Sequence, residues 1–235
     1  MERVLMYSGG LDSFILKHLY DFEDEECLFI NIGTDENQVE ENHIKKYFPK
    51  IKVLQFPLVR WELSNKIIPF RNSFLALAAA QYAECIYFGY TIGDTTRDKD
   101  YVFKAQMEGM LNYFAGTGDK IGIKLNKGYE IYMPFKQTTK SELVFQFLET
   151  GYNYQDLFEK SVSCYEGSDI PCGKCRSCLR KYVAVWVGFK KYGLNIAVES
   201  FFKNNPRKML NEFYVKSENK DRKEELYDII KCING

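Results

Sequence analysis

Short apolar runs alternate with longer amphipathic stretches over the first two thirds of the chain. Residues 4–7, 27–32, 51–56, 85–90 and 130–133 are mainly apolar stretches of strand length, each bounded by polar or glycine-containing segments. Between them the pattern predicts helices over 14–20, through Glu40, Ile44 and Tyr47, over 74–83 and over 102–115. Strand and helix alternating at this spacing, with strands apolar on both faces, predict an α/β fold: a parallel twisted, Rossmann-like sheet with helices on both faces. The helix over 74–83 is apolar on nearly every side and is expected to be buried. In 102–115, Phe103, Met107, Met110, Leu111 and Phe114 form a stripe expected to be core.

The segment 116–128 is turn-rich and could hold a hairpin or a flexible excursion. Thr139 and Glu142 have capping-box spacing and start a further helix. Helices are expected over 183–192, 196–202, 206–214 and 222–233, a tail in which no chemistry stands out. The expected division is an α/β domain over 1–160 and a cysteine-bearing segment with its helical tail over 161–235.

Composition narrows the class. The chain has 235 residues, 46% apolar, enough for one α/β core and an appendage. Its formal charge is zero, so no global field recruits nucleic acid or anionic membrane. Acidic residues interrupt the N-terminal region, no eighteen-residue apolar run occurs, and the seven cysteines are odd in number. A cytoplasmic, reducing location is the expectation.

Ser8-Gly9-Gly10-Leu11-Asp12-Ser13 sits between the first strand and the first helix. Two glycines let the backbone aim several N–H groups at one spot beside a helix N-terminus, where phosphate oxygens are attracted. The Ser8 and Ser13 hydroxyls add donors, and Asp12 supplies a carboxylate for the Mg2+ that accompanies ATP. No lysine follows the glycines, so this is not a Walker A loop. The competing reading is an ordinary turn capped by serine or aspartate.

Further candidates lie where other strands end. Arg71 and Asn72 open the helix at 74–83, in a position for an anionic ligand, with capping by Asn72 or Ser73 as the alternative. The stretch 91–100, with Asp94 and Arg97, is a candidate substrate loop. Lys140 falls in the first turn of its helix, where a cation is disfavoured unless an anion is near.

Cys164, Cys172, Cys175 and Cys178 give C-x7-C-x2-C-x2-C. Four thiolates at this spacing can hold one Zn2+ in a closed, structural site, Gly173 relieving the turn. An iron–sulfur cluster and a redox pair are the alternatives. Cys27, Cys85 and Cys232 read as buried small residues. Lys174, Arg176, Arg180 and Lys181 form a short basic patch that could meet phosphates or be a solvated rim.

In order, the chain carries S-G-G-L-D-S, then P-F-R-N-S-F-L-A-L-A-A-A-Q-Y-A-E, M-P-F with T-K-S-E-L, S-C-Y-E-G, and P-C-G-K-C-R-S-C-L-R. This series resembles QueC, the 7-cyano-7-deazaguanine synthase family of PP-loop ATP pyrophosphatases, over about the first 180 residues. The resemblance implies a ligase of queuosine biosynthesis that adenylates 7-carboxy-7-deazaguanine, lets ammonia displace AMP, and converts the amide to the nitrile in a second round. It implies that Ser8, Gly9, Gly10, Leu11, Asp12 and Ser13 hold pyrophosphate and Mg2+, that Lys140 reaches phosphate, and that Arg71 and Asn72 line the substrate site. The four cysteines would bind zinc. Asp94 is a candidate general base. A homodimer is expected, since this fold commonly pairs through helices.

Two stretches depart from the family pattern. Gly33-Thr34-Asp35-Glu36-Asn37 stands where members have Gly-Gln-Arg-His, and Thr96-Arg97-Asp98-Lys99-Asp100 replaces Tyr-Pro-Asp-Cys-Arg. Adenylation of a different acid, or of a macromolecule, is therefore the rival within the same chemistry. A zinc-bearing nucleic-acid module is the rival from another class, opposed by the neutral charge.

Overall fold

The computed structural model describes residues 2–94, 96–116, 128–164, 166, 170–218 and 223–235. The chain divides into two compact units. One comprises Met1–Ser8, Asp21–Tyr90 and Asp94–Lys136; the other comprises Gly9–Tyr20, Thr91–Gly93 and Gln137–Gly235.

The first unit is built on five parallel strands, β1 Arg3–Met6, β2 Cys27–Asn31, β3 Lys52–Gln55, β4 Cys85–Tyr87 and β5 Glu130–Tyr132, in the order β3-β2-β1-β4-β5. All five expected strands are present. Val4, Leu28, Ile30, Ile86 and Ile131 point to one face, where they form a core with Ala76 and Ala79 of α3 (Arg71–Ala79) and with Phe103, Met107 and Leu111 of α4 (Tyr101–Ala115). The other face meets α2 (Asp35–Tyr47): the Tyr7 ring packs edge-on against Phe48 just past that helix, centroids 5.6 Å apart. There the buried Glu41 carboxylate accepts from Asn31 of β2 at 2.5 Å and from Gln55 of β3 at 2.9 Å, clamping the register of two neighbouring strands.

The strand order changes direction beside β1, so Ser8 leaves the sheet at the switch point where α/β sheets bind ligands. Two expectations are corrected here. Phe114 is 57% exposed, because the buried face of α4 runs through Phe103, Met107, Leu111 and Ala115, four residues apart, and Phe114 falls off it. Helix α3 ends at Ala79, and Leu77 on its outer side is exposed.

The second unit holds α1 (Leu11–Leu19), α5 (Lys140–Glu149), α6 (Asp156–Glu159), α7 (Arg176–Tyr192), α8 (Leu210–Glu218) and α9 (Lys223–Asn234). Helices α5 and α7 approach closely because Gly188 has no side chain: a Cβ there would lie 2.7 Å from Val144. The helix expected over 196–202 is a 3-10 turn, Val198–Phe201, and that over 206–214 is the 3-10 turn Pro206–Met209 running into α8. The turn-rich stretch between 117 and 127 lies outside the described residues. Among the described residues no helix is long and apolar enough to cross a membrane.

Candidate functional site

Gly9 adopts φ +72°, and the chain turns so that α1 begins at Leu11 with Gly10 as its N-cap. The N-cap residue is Gly10, so the ordinary reading of Ser8 to Ser13 as a turn with a serine or aspartate N-cap does not hold. Ser13 is buried and its hydroxyl donates to the Gly10 carbonyl at 3.1 Å, which stiffens the turn. A helix N-terminus entered through two glycines could receive phosphate oxygens.

The second helix start brings the cation. Thr139 caps α5 in the expected box, its hydroxyl accepting from the Glu142 N–H at 3.2 Å while Glu142 accepts from the Thr139 N–H at 3.2 Å. This fixes Lys140 at the first position of the helix, and its Nζ donates directly to Oδ2 of Asp12. Residues 128 positions apart thus form an ion pair beside the glycine turn, and Asp12 is the anion that position 140 needed. The other oxygen, Asp12 Oδ1, is buried with no hydrogen-bond partner among the described residues. A buried carboxylate oxygen in that state is suited to a hard cation such as Mg2+.

In the first unit, Asn72 does not cap α3. It is buried inside the first turn and its amide donates to the Asp98 carboxylate at 2.7 Å, while the helix is entered from Phe70 at φ +58°. Asp94 is engaged by Lys99 at 3.2 Å, and its carbonyl accepts from Lys136 at 2.6 Å. Arg97 is exposed at the start of the 3-10 turn Arg97–Lys99. Arg71 is half-buried near Glu40, a residue the sequence did not single out. Burial pushes the Glu40 carboxyl up to about 7, against the hydrogen bond from Asn37 and the charge of Arg71.

The four cysteines of the metal motif converge in the second unit, their Sγ atoms all within 4.8 Å of one another. Cys172 Sγ and Cys178 Sγ are 3.9 Å apart, against sulfur–sulfur edges of about 3.8 Å in a tetrahedral zinc site with Zn–S of about 2.3 Å. Backbone N–H groups are aimed at the sulfurs: Cys172 at Cys164 Sγ, 3.3 Å; Cys175 at Cys172 Sγ, 3.3 Å; Cys178 at Cys175 Sγ, 3.5 Å. Such donors favour thiolate over thiol, so the donor set fits a metal ion and the four cysteines could hold one. Gly173 turns with φ +77°, and a Cβ there would lie 2.1 Å from the Asn204 carbonyl. The Asn204 amide in turn donates to the Cys172 carbonyl at 2.6 Å. Cys27 and Cys232 are buried as expected, whereas Cys85 is half-buried.

The supposed basic rim is corrected as well. Of its four members only Lys174 is exposed, and Lys181 is buried with its Nζ on the Ser161 carbonyl at 2.8 Å and hydroxyl at 3.0 Å.

The model of the family described as "Queuosine biosynthesis protein QueC" matches residues 50–186. The chain belongs to the QueC family. A 7-cyano-7-deazaguanine synthase of a Nitratiruptor species is 34% identical to it over 226 residues, covering 82% of this chain and 96% of that protein. The namesake from Desulfotalea psychrophila is 20% identical over 205 residues, covering 76% and 90%. That from Thermoplasma acidophilum is 30% identical over 123 residues, covering 50% of this QueC-family chain and 48% of the relative. The five-stranded parallel sheet and the cysteine cluster are those of a QueC-type PP-loop fold.

Proposed function

We propose that this QueC-family chain is an ATP-dependent ligase converting 7-carboxy-7-deazaguanine and ammonia to 7-cyano-7-deazaguanine. The observation that carries the reading is the Lys140–Asp12 pair at the start of α1, where Gly10 is the N-cap, with a buried Asp12 oxygen beside it that has no partner among the described residues. In this reading the first N–H groups of α1 and the turn at Gly9 and Gly10 bind the β and γ phosphates of ATP. Lys140 neutralises charge developing as the bond between the α and β phosphates breaks. Mg2+, when bound, would be held through Asp12 and would shield phosphate charge.

The substrate carboxylate oxygen attacks the α-phosphorus and pyrophosphate leaves, giving an acyl adenylate. Ammonia then attacks the acyl carbon; AMP departs with the electrons of the carbon–oxygen bond and one proton is lost, leaving the amide. In a second round the amide oxygen attacks the α-phosphorus of another ATP, and loss of pyrophosphate, AMP and two protons leaves the nitrile. Little acid–base help is required of side chains, because an acyl phosphate has a good leaving group; positioning and charge neutralisation dominate. Asp94, held by Lys99, acts in this scheme by shaping the loop.

Cys164, Cys172, Cys175 and Cys178 would hold a structural zinc, which supplies folding energy to a segment with few apolar residues. The test is mass spectrometry of products from zinc-loaded protein given ATP, Mg2+, ammonium and 7-carboxy-7-deazaguanine. Nitrile with AMP supports the reading; amide alone would limit it to the first round; neither product, with ATP still bound, would sink the substrate assignment.

A further inference from the structure

Lys181 is the only buried lysine or arginine among the described residues, 2% exposed on the inner face of α7. Taking an ammonium group out of water disfavours its charge. Two hydrogen bonds offset part of that cost: Nζ donates to the Ser161 carbonyl at 2.8 Å and to the Ser161 hydroxyl at 3.0 Å. The Phe158 ring lies near it as well, its centroid 5.5 Å from Nζ. None of these partners is an anion.

The anions are sulfurs. Lys181 follows Cys178 by three residues on one helix, so the two side chains share a face. Burial pulls the Lys181 pKa down, and Cys178 and Cys164 are the groups that oppose it. They are two of the four cysteines whose Sγ atoms cluster. A divalent ion on four thiolates leaves two negative charges over, and three of these four cysteines are buried, so the excess needs a balancing cation. The neighbouring cations suit that task less well. Lys174 is exposed and pairs with Glu166 at 3.4 Å, while Arg176 and Arg180 are only half-buried.

Lys181 also holds the chain that leads to the phosphate loop. Ser161 precedes Val162, whose N–H donates to the Gly9 carbonyl at 2.8 Å, and the Ser161 hydroxyl itself donates to the Leu157 carbonyl at 2.7 Å. All of these residues belong to the second unit. One buried charge is thus coupled electrostatically to two cysteines of the cluster and by hydrogen bonds to the segment that holds Gly9.

On the reading of the four cysteines as a metal site, we propose that Lys181 is a positioning residue that supplies the counter-charge of the metal centre and, through Ser161, ties that centre to the turn at Gly9. Partners just outside a ligand set tune the metal they surround, and losing one costs roughly ten- to a hundredfold in metal affinity.

Zn2+ affinity of the full-length chain, measured by competition with a chromogenic chelator, tests this in wild type, Lys181→Gln, Lys181→Met and Lys181→Arg. Glutamine can still donate to Ser161 but carries no charge. It therefore separates the counter-charge from the hydrogen bond, and it decides the matter if the methionine variant does not fold. Lys181→Gln and Lys181→Met should each bind Zn2+ roughly ten- to a hundredfold more weakly than wild type, and Lys181→Arg should stay within about threefold. With Co2+ in place of Zn2+, the sulfur-to-metal charge-transfer band should move to longer wavelength in Lys181→Gln, because the positive charge that held electrons on sulfur is gone. At saturating Zn2+, Lys181→Met should bind ATP about fivefold more weakly in calorimetry, the size of one net hydrogen bond. Wild-type Zn2+ affinity with an unmoved band in Lys181→Gln overturns the counter-charge, as does an arginine variant as weak as the glutamine one. Unchanged ATP affinity in Lys181→Met overturns the tie to Gly9. A wild-type chain that takes up neither ion defeats the metal reading itself, and the proposal with it, so the two failures are told apart.

Discussion

The backbone N–H of Val162 donates to the Gly9 carbonyl at 2.8 Å, two residues before Cys164, the first cysteine of the cluster. The turn at Gly9 and the cysteine cluster are therefore joined through the three residues from Val162 to Cys164, and Lys181, three residues beyond Cys178, holds Ser161 just before them. Removing the metal should loosen Gly9 as well as the cysteines. Chelation is expected to lower Tm and to weaken ATP binding about fivefold, the size of one net backbone hydrogen bond. Calorimetric titration of ATP into metal-free protein checks this; an unchanged Kd in protein that is still folded would show that the loop stands by itself.

Gly173 gives a second prediction about the same cluster. Its φ of +77° and the 2.1 Å that would separate a Cβ from the Asn204 carbonyl leave no room for alanine. Gly173→Ala should displace Cys172 and reduce bound zinc, measured by atomic absorption, to well below one equivalent per chain. Retention of a full equivalent with an unchanged Tm would mean that the turn can relax without cost.

The sheet was legible because short, mainly apolar stretches recur at strand length between helical patterns, and Ser8 to Ser13 because two successive glycines between a strand and a helix mark a tight turn. The partnership of Asp12 with Lys140 was half-legible: the helix start at Thr139 could be read, but not which anion it faces. Asp228 and Lys181 were illegible for one reason. A charged residue on an amphipathic helix reads as solvated, and only packing against other elements turns Asp228 toward Ser141 and Lys181 toward Ser161. Phe114 erred in the opposite sense, an aromatic side chain counted into a stripe whose buried face was one residue away.

Asp12 and Lys140 differ in what their loss should cost. Asp12→Ala removes the partner of Lys140 and the oxygen suited to Mg2+, so product formation should fall below detection. Lys140→Met keeps most of the side-chain volume and should lower kcat/KM for ATP by about a hundredfold or more, as expected for one charge-stabilising contact in a transition state. Stopped or initial-rate pyrophosphate assays distinguish these; a Lys140→Met enzyme at wild-type rate would remove Lys140 from the phosphate site.

Adjacent carboxylates on α2 should give opposite pH dependence. Hydrogen bonds from Asn31, Lys45 and Gln55 pull the Glu41 carboxyl down to about 2. A depressed folded value favours the ionised form, so the stabilisation is fully present above the ordinary carboxylate range near pH 4.3 and is lost as pH falls toward 2; it amounts to at most about 3 kcal/mol. Glu40 has the reverse sign. Its folded value near 7 means the folded state holds a proton that the unfolded chain releases, so stability declines as pH rises through the interval from about 4.3 to 7. Urea unfolding from pH 3 to pH 8 checks both. Glu41→Gln should flatten the acid limb and lower stability at pH 7, whereas Glu40→Gln should raise stability at pH 8 and leave pH 4 nearly unchanged. If Glu40→Gln is destabilising at pH 8, the ionised carboxylate is paired with Arg71 more strongly than burial penalises it.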